Sequence, residues 1–211
     1  VEKDGEVLFS KEVNFEVLKP YEDSFAFSGD TKGVVVRVGD KVVYDFNPEQ
    51  GTLSRPVDSP EDFDWVSAYG HWLQGKEFIR ARNYKQAEIS LKASLEKDPN
   101  YLPALADMAM LMNINGLYEE AFNYSHHGLR IDTYDPAANY YYGLSCKYLG
   151  KIEDAKDGFD IAMQSLAYRG AAATELSKIY FKEKDYLKAA FYATKAIDNG
   201  KGNITAYQIL E

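Results

Sequence analysis

The chain has 211 residues, is 45% hydrophobic and 27% charged, and carries a formal net charge of −9 at neutral pH. This composition is typical of a folded globular chain rather than a disordered one, and no apolar run approaches the ~18 residues of a membrane-spanning helix. The acidic balance argues against binding to nucleic acid or to an anionic membrane, because both select a basic stripe that displaces counterions.

Most of the net negative charge lies in the first third of the chain, which also has the sequence pattern of β-strands. Residues 1–66 hold 15 acids and 7 bases, whereas residues 67–211 hold 18 acids and 17 bases. Two apolar runs around Gly39-Asp40 predict a β-hairpin with a two-residue turn, formed by Val34–Val38 and Lys41–Tyr44. Further strand candidates are Val7–Phe9, Val13–Leu18 and, more weakly, Ser24–Phe27.

Proline and glycine residues then mark a connector from Asn47 to Pro60. The β-rich segment before it is short for an independent domain, because ~60 residues bury only a modest fraction of their surface. We therefore expect residues 1–60 to be the tail of a larger β-sheet domain with its connector, and residues 61–211 to form a second domain.

The remainder of the chain repeats itself every 34 residues. Alanine recurs at this interval, in Ala87, Ala121, Ala155 and Ala189. Small residues stand twelve positions before each alanine, at Gly75, Ala109, Gly143 and Ser177. Bulky residues stand nine positions before it, at Phe78, Met112, Cys146 and Tyr180. Small residues let two helices approach closely where they cross and large ones fill the groove beside them, so each unit is predicted to be a pair of antiparallel helices.

This period and pattern resemble the tetratricopeptide repeat, abbreviated TPR. The resemblance implies a mainly α fold: a right-handed TPR α-solenoid of four helix pairs and the start of a fifth, preceded by the short β-rich segment. The repeats fall at about 68–101, 102–135, 136–169 and 170–203, with a partial fifth at 204–211. The first helix of each repeat, called helix A, is predicted at 68–81, 102–114, 136–148 and 170–182. The second, called helix B, is predicted at 84–97, 118–131, 152–165 and 186–199.

Gly116 and Gly150 are expected to end two of the A helices as left-handed C-cap glycines. The sequence stops inside the predicted first helix of the fifth repeat and begins with Val1. We therefore expect it to be an excerpt of a longer protein.

A narrower resemblance concerns the junction of the two parts and the repeats. It rests on five stretches: Leu53–Asp58, Phe63–Trp65, Ser67–Gly70, Ile131–Tyr140 and Ala155–Phe159. These are similar to one family of large bacterial proteins, in which a long β-rich region related to sugar-mutarotase-like sandwiches precedes TPRs. The resemblance implies that residues 1–66 are the tail of that region. None of the five stretches is catalytic, so no activity is implied.

Residues capable of catalysis or metal binding are present but not grouped in a known motif. His126 and His127 are adjacent on a helix and point ~100° apart, which favours surface histidines over a shared chelate. His71 is expected to be packed in the first repeat, and Cys146, the single cysteine, to be a buried inert thiol. A lone cysteine also leaves no disulfide in the monomer and does not reveal the compartment.

Two acidic clusters, Glu61-Asp62-Asp64 and Glu119-Glu120, fit the first turns of helices, where the helix dipole favours negative charge. Both are therefore expected to stabilise helix ends rather than to form a pair of catalytic carboxylates. The sequence predicts no enzymatic activity, no cofactor and no metal site.

The resemblance implies a concave groove lined by positions 2, 5, 9, 12 and 13 of each helix A. These positions mix aromatic, aliphatic and basic residues and hold no acids. Aromatics serve as anchors and cations steer an acidic partner, so we expect an acidic protein or peptide to bind there. The expected partner-binding residues are Trp72, Lys76, Arg80, Met110, Asn113, Tyr140, Leu144, Lys147, Tyr148, Lys178, Phe181 and Lys182.

The sequence leaves three functional hypotheses open. The main one is a non-enzymatic scaffold that holds a peptide or partner domain in the groove. The alternative is a supporting or dimerisation arm of a carbohydrate-active or carbohydrate-binding protein, which allows a homo-oligomer. In the third, residues 1–66 fill the groove of their own chain. Chaperone-tail binding is excluded, because the clamp positions hold Trp72, Lys76, Asp107, Ala137 and Tyr141.

Overall fold

The computed structural model describes residues 1–15, 19–46, 60 and 62–211. The chain divides into two compact units, Val1–Glu61 and Asp62–Glu211. Except for Pro60, the connector predicted at Asn47–Pro60 lies outside the described residues, as does the Leu53–Asp58 stretch.

The described part of the first unit contains one small antiparallel sheet, with strand order β2-β1-β3-β4. Its strands are β1 (Glu2–Lys3), β2 (Glu6–Val7), β3 (Val34–Val38) and β4 (Lys41–Asp45). The predicted hairpin is confirmed, since Val38 pairs with Lys41 across the two-residue turn and Gly39 takes the left-handed φ of 58°. Glycine permits this backbone conformation without steric cost.

Two of the other strand predictions, which concern residues that the structure describes, are wrong. Only Val7 of Val7–Phe9 is in a strand, because the amides of Leu8 and Phe9 both turn back to the carbonyl of Val1. The segment Ser24–Phe27 forms no strand, and Phe25 instead stacks its ring on Phe9 at 5.1 Å. Side-chain packing therefore replaces ladder hydrogen bonds there.

The predicted strand Val13–Leu18 is only partly testable. Its first residues, 13–15, are not in a strand, and residues 16–18 lie outside the described part of the chain.

The second unit is a stack of helices that alternate as predicted. The described helices are α1 (Ala68–Arg80), α2 (Tyr84–Lys97), α3 (Leu102–Ile114), α4 (Tyr118–Ile131), α5 (Pro136–Tyr148), α6 (Ile152–Ala162), α7 (Leu166–Lys182), α8 (Tyr186–Asn199) and α9 (Ile204–Leu210). Each odd-numbered helix is a helix A and packs against the B helices before and after it in the chain, and α3, α5, α7 and α9 also contact one another in succession. This confirms a mainly α solenoid preceded by a small β segment. None of these described helices combines the length and apolar character that a membrane crossing requires.

A left-handed residue ends helix A in all four repeats. Gly116 and Gly150 have φ of 76° and 79°, which confirms them as C-cap glycines. Arg82 and Lys184 occupy the same position in the first and fourth repeats, with φ of 56° and 65°. The next amide in each repeat closes the turn; that of Asn83, for example, donates to the carbonyl of Phe78 at 2.8 Å. Such Schellman-type bonds satisfy carbonyls that a helix end leaves unpaired.

The junction of the third and fourth repeats differs from the prediction. Helix α6 ends at Ala162 rather than 165, and α7 begins at Leu166 rather than 170. No helix-breaking residue lies between Leu166 and Gly170, so α7 gains a turn. Arg169 stabilises the short connection by donating to the carbonyls of Met163 and Gln164, both at 3.2 Å.

The small repeat positions lie where helices cross. All four periodic alanines are buried, the most exposed at 1%. A Cβ on Gly143 would lie 2.9 Å from the ring of Phe159, and one on Gly158 would lie 2.8 Å from the carbonyl oxygen of Asn139. The spacing between helices thus depends on these positions, as the sequence predicts. Cys146 is buried in the same core, as predicted, and burial raises the pKa of its thiol to about 11, which disfavours the reactive thiolate.

Candidate protein-interaction surface

The candidate surface consists of the side chains that the A helices present at positions 2, 5, 9, 12 and 13. We call it the helix-A surface; its predicted partner-binding members are Trp72, Lys76, Arg80, Met110, Asn113, Tyr140, Leu144, Lys147, Tyr148, Lys178, Phe181 and Lys182. They come from α1, α3, α5 and α7. The structure assigns different roles to different members.

In the first two repeats, the helix-A surface is tied together by a buried acid. Asp107 is 8% exposed and accepts hydrogen bonds from Trp72 Nε1 at 2.8 Å and from Lys76 Nζ at 3.0 Å. The five groove positions hold no acids, as predicted, but Asp107 at position 6 of α3 brings a carboxylate to this surface. It contacts Trp72 and Lys76, two of the three predicted contact residues of the preceding repeat.

A second buried acid has the same role in the last two repeats. Glu175, 9% exposed, accepts a hydrogen bond from Lys147 Nζ on α5 and one from Lys178 Nζ at 2.6 Å. Burial raises the pKa of this carboxyl, but the hydrogen bonds from the two lysines outweigh it, so the net pKa lies below the ordinary value. Glu175 is therefore ionised at neutral pH, and its negative charge neutralises part of the positive charge of Lys147 and Lys178, two residues of the predicted basic lining.

The signal for both acids was present in the sequence. Asp107 and Glu175 each interrupt a run of small and apolar residues in helix A. An acid at a buried position must be paired, because an isolated buried charge is strongly unfavourable.

Several predicted contact residues pack mainly within the solenoid. Met110 and Leu144 lie against the hydrophobic core clusters. The ring of Tyr140 lies 5.8 Å from that of Phe159, and burial raises the pKa of its hydroxyl to about 12. Asn113 donates through Nδ2 to the carbonyls of Ala109 and Tyr141 at 3.0 and 3.1 Å. These four residues link neighbouring helices.

Two aromatic residues remain exposed and are held in place from one side. Tyr148 is 57% exposed and stacks on Tyr118, with ring centroids 4.3 Å apart and planes 11° from parallel. Phe181 is 47% exposed and meets Tyr186 edge-on at 5.7 Å. In both cases a tyrosine that begins a helix B supports an aromatic near the end of a helix A, and part of each aromatic ring stays exposed. Lys147 Nζ also lies 5.4 Å from the centroid of the Tyr148 ring.

An open cavity of about 590 Å³ lies between α5 and α7 at the start of α6, and Tyr148 is one of the residues that line it. Its apolar wall is formed by Tyr148, Ile152 and Ile179. Charged side chains complete the lining, namely Lys147, Lys178, Lys182 and Glu183. The cavity therefore combines an apolar floor with several ammonium groups.

The remaining chemistry-bearing residues have structural roles. The ring of exposed His126 stacks on that of Phe122 at 5.6 Å, whereas His127 Nε2 lies 2.9 Å from Asn100 Oδ1. No three His, Cys, Asp or Glu side chains within the described ranges are placed to hold a metal ion.

The acidic clusters divide between a correct and a wrong prediction. Glu119 and Glu120 lie in the first turn of α4, as predicted. Asp62 and Asp64 instead precede α1, whose first turn holds no acid, because Ser67 caps that helix. Glu61 lies outside the described residues.

Part of the repeat region matches a known protein family. The sequence model of the family described as the TT21 fifth ARM repeats domain matches residues 77–181. The chain resembles the crystal structure of MamA protein, with 22% sequence identity and a TM-score of 0.58, and the match covers 68% of this chain and 78% of MamA. It also resembles PilF of Pseudomonas aeruginosa, with 21% sequence identity and a TM-score of 0.61, and that match covers 69% of this chain and 67% of PilF. YrrB, described as a TPR protein with an unusual peptide-binding site, is 16% identical with a TM-score of 0.56, and covers 67% and 73%.

A search of curated protein sequences finds no match to this chain. At these identities the solved structures establish the fold alone, and the narrower bacterial family with a mutarotase-like region stays a prediction. The 34-residue period, the alternating helix pairs and the shared fold agree with one another. The chain therefore has the fold of a TPR-like helical repeat protein.

Proposed function

We propose that this chain is a non-enzymatic scaffold that binds a peptide or a partner domain along the helix-A surface. The observation that carries the proposal is the cavity between α5 and α7, which the exposed Tyr148 lines, together with the exposed Phe181 near the end of α7. Rigid exposed aromatics around a concave site are the usual anchors of protein recognition. The peptide-binding site named for YrrB, which shares the fold, also favours this role.

The proposed partner-binding residues are the twelve members of the helix-A surface named above, and the proposed partner has acidic character. Lys147, Lys178 and Lys182 line the cavity, whereas Arg80 is exposed at the end of α1. Cations at the rim of such a surface increase the rate at which an acidic partner associates and disfavour basic competitors.

The test is capture of partners from a lysate of the source organism with the intact chain and two matched double variants. The helix-A variant Tyr148→Ala/Phe181→Ala removes the exposed anchors. The helix-B variant Leu187→Ala/Phe191→Ala removes two apolar side chains from α8 that are at least as accessible as the helix-A pair, at 88% and 54% exposed. A partner lost only from the helix-A variant supports the proposal. A partner retained by it, or lost from both variants, contradicts it.

Lys178 is avoided in this test for a structural reason. Its Nζ bonds Glu175 three residues away, and Lys178→Glu would bring a second carboxylate beside a buried one. The resulting repulsion would confuse loss of binding with loss of folding.

The second candidate is a supporting or dimerisation arm of a carbohydrate-active or carbohydrate-binding protein. One observation favours it: β4 leaves Val42, Val43 and Tyr44 about half-exposed, as expected of a sheet that more protein covers. The discriminating observation is the sequence upstream of Val1 in the gene. A complete β-sandwich with paired carboxylates or histidines would favour the arm.

A further inference from the structure

The acids around the cavity between α5 and α7 already have cationic partners. Glu175 accepts hydrogen bonds from both Lys147 and Lys178. Glu183 pairs with Lys156 at 2.8 Å, and Lys156 also pairs with the exposed Glu153. Each of these three carboxylates, Glu153, Glu175 and Glu183, is therefore already paired with a lysine.

Lys182 is that further ammonium group. It lines the cavity, is exposed, and has no ion-pair partner within the described ranges of the chain. It stands four residues after Lys178, so both side chains lie on the same side of α7. The cavity therefore retains positive charge in a protein whose net charge is −9.

The corresponding position in the first repeat behaves differently. Arg80 stands three repeats before Lys182, but it pairs with Glu77 on its own helix. Trp72 and Lys76 nearby are both bonded to Asp107. Among the described cations of the helix-A surface, the unpaired one thus lies in the last repeat.

An apolar wall adjoins the unmatched charge. Tyr148, Ile152 and Ile179 line the same cavity as Lys182, and Tyr148 is fixed by its stacking on Tyr118. A ligand that fits both features carries a carboxylate next to an aromatic or aliphatic group.

We propose that this cavity binds a carboxylate of an extended peptide through Lys182, with a neighbouring apolar side chain of the peptide against Tyr148. This inference rests on the proposed scaffold function and names its ligand. Glu175 is then the residue that sets specificity, because it neutralises two lysines that would otherwise attract further acids. The carboxylate comes either from an Asp or Glu side chain or from the peptide's C-terminus.

The experiment uses the intact 211-residue chain and two random heptapeptide libraries, one with free and one with amidated C-termini. Selected peptides are then measured by fluorescence anisotropy against the wild type, Lys182→Glu and Lys85→Glu. The two variants change the net charge equally, but Lys85 is exposed on α2, outside the helix-A surface. Lys182→Met serves as a milder variant, and circular dichroism checks that each variant is folded.

We expect selected peptides to carry an acid next to an aromatic or aliphatic residue. Lys182→Glu should weaken their binding by about tenfold or more, the effect of one charge-assisted contact, whereas Lys85→Glu should change it less than about twofold. Glu175→Gln should tighten binding and make it more salt-dependent, because two lysines are released. Selection from the amidated library assigns the carboxylate to a side chain, and selection from the free-acid library alone assigns it to the C-terminus.

Two results would overturn the inference, and they differ in what they leave standing. Peptides without an acid that lose affinity on Tyr148→Ala but not on Lys182→Glu would refute the carboxylate site and keep the scaffold function. Failure to select any peptide above background would refute both for peptide ligands.

Discussion

The left-handed residue that ends each helix A is glycine in two repeats and a residue with a side chain in the other two, and this difference should affect stability. Gly116 and Gly150 adopt positive φ without a Cβ, but Arg82 and Lys184 adopt it with one. For a side chain other than glycine this conformation costs about 1–2 kcal/mol, part of which glycine's greater flexibility in the unfolded chain offsets.

Lys184→Gly should therefore raise the free energy of unfolding by about 0.5–1 kcal/mol, because it relieves the left-handed strain. Gly150→Ala, at the equivalent position one repeat earlier, should lower it by about 1 kcal/mol. Urea denaturation followed by circular dichroism measures both. A loss of stability in Lys184→Gly would show that contacts of the lysine outweigh its backbone strain.

Glu175 makes stability depend on pH. Its folded pKa lies below the ordinary 4.5, because hydrogen bonds from Lys147 and Lys178 outweigh the effect of burial. A carboxyl with a lowered folded pKa stabilises the protein above its unfolded pKa and loses that contribution as pH falls through the folded value.

At pH 7, Glu175→Gln should lower the free energy of unfolding by about 1–2 kcal/mol, since two charge-assisted hydrogen bonds are lost. The difference from the wild type should shrink as the pH falls below 4.5. Thermal unfolding of both proteins between pH 7 and about pH 3 measures this. A difference that stays constant with pH would contradict the assigned ionisation of Glu175.

At the scale of elements, the spacing of helices depends on where glycine meets backbone. Gly158 in α6 faces the carbonyl of Asn139 and the backbone of Gly143, so a methyl group there would collide with main-chain atoms. Gly170 in α7 has room, since a Cβ would lie 3.4 Å from that of Asn199.

The two glycines therefore form a matched pair for mutation. Gly170→Ala should stabilise the protein by about 1 kcal/mol through helix propensity. Gly158→Ala gains the same propensity but should be destabilising by about 1–3 kcal/mol, because α5 and α6 must move apart. Thermal melts of the two variants decide the matter, and equal effects would show that the α5–α6 contact adapts freely.

The helices could be predicted from sequence because each repeat contains its own stop signals. Bounds agree within one residue for α1 to α5 and for α8, where glycines, prolines and a constant period mark them. The α6–α7 junction could not be predicted, because its connection depends on Arg169 reaching the carbonyls of residues 163 and 164. Strands of two charged residues, such as β1, carry no alternation to detect.

The candidate site was predictable only in part. Periodicity placed Tyr148, Phe181 and Lys182 on the A helices, where the structure leaves them exposed. It did not indicate that Asp107 and Glu175 bind lysines of other helices, because such pairing crosses repeats and involves a position outside the groove pattern.

At the scale of the whole molecule, a solenoid is stabilised mainly by contacts between neighbouring repeats, so its surface residues can diverge without loss of the fold. Here the two halves of the helix-A surface have diverged. A buried acid ties each half together, Asp107 in the first and Glu175 in the second, but only the last two repeats also present exposed, supported aromatics and the unpaired Lys182. We therefore propose that partner recognition is concentrated in repeats three and four.

Hydrogen exchange of the intact chain with and without a captured partner tests this claim most directly. We predict new protection at the ends of α5 and α7 and at the start of α6, within residues 147–152 and 178–183, which include the side chains that line the cavity. Protection confined to the B helices α2, α4, α6 and α8, with these two segments unchanged, would contradict it.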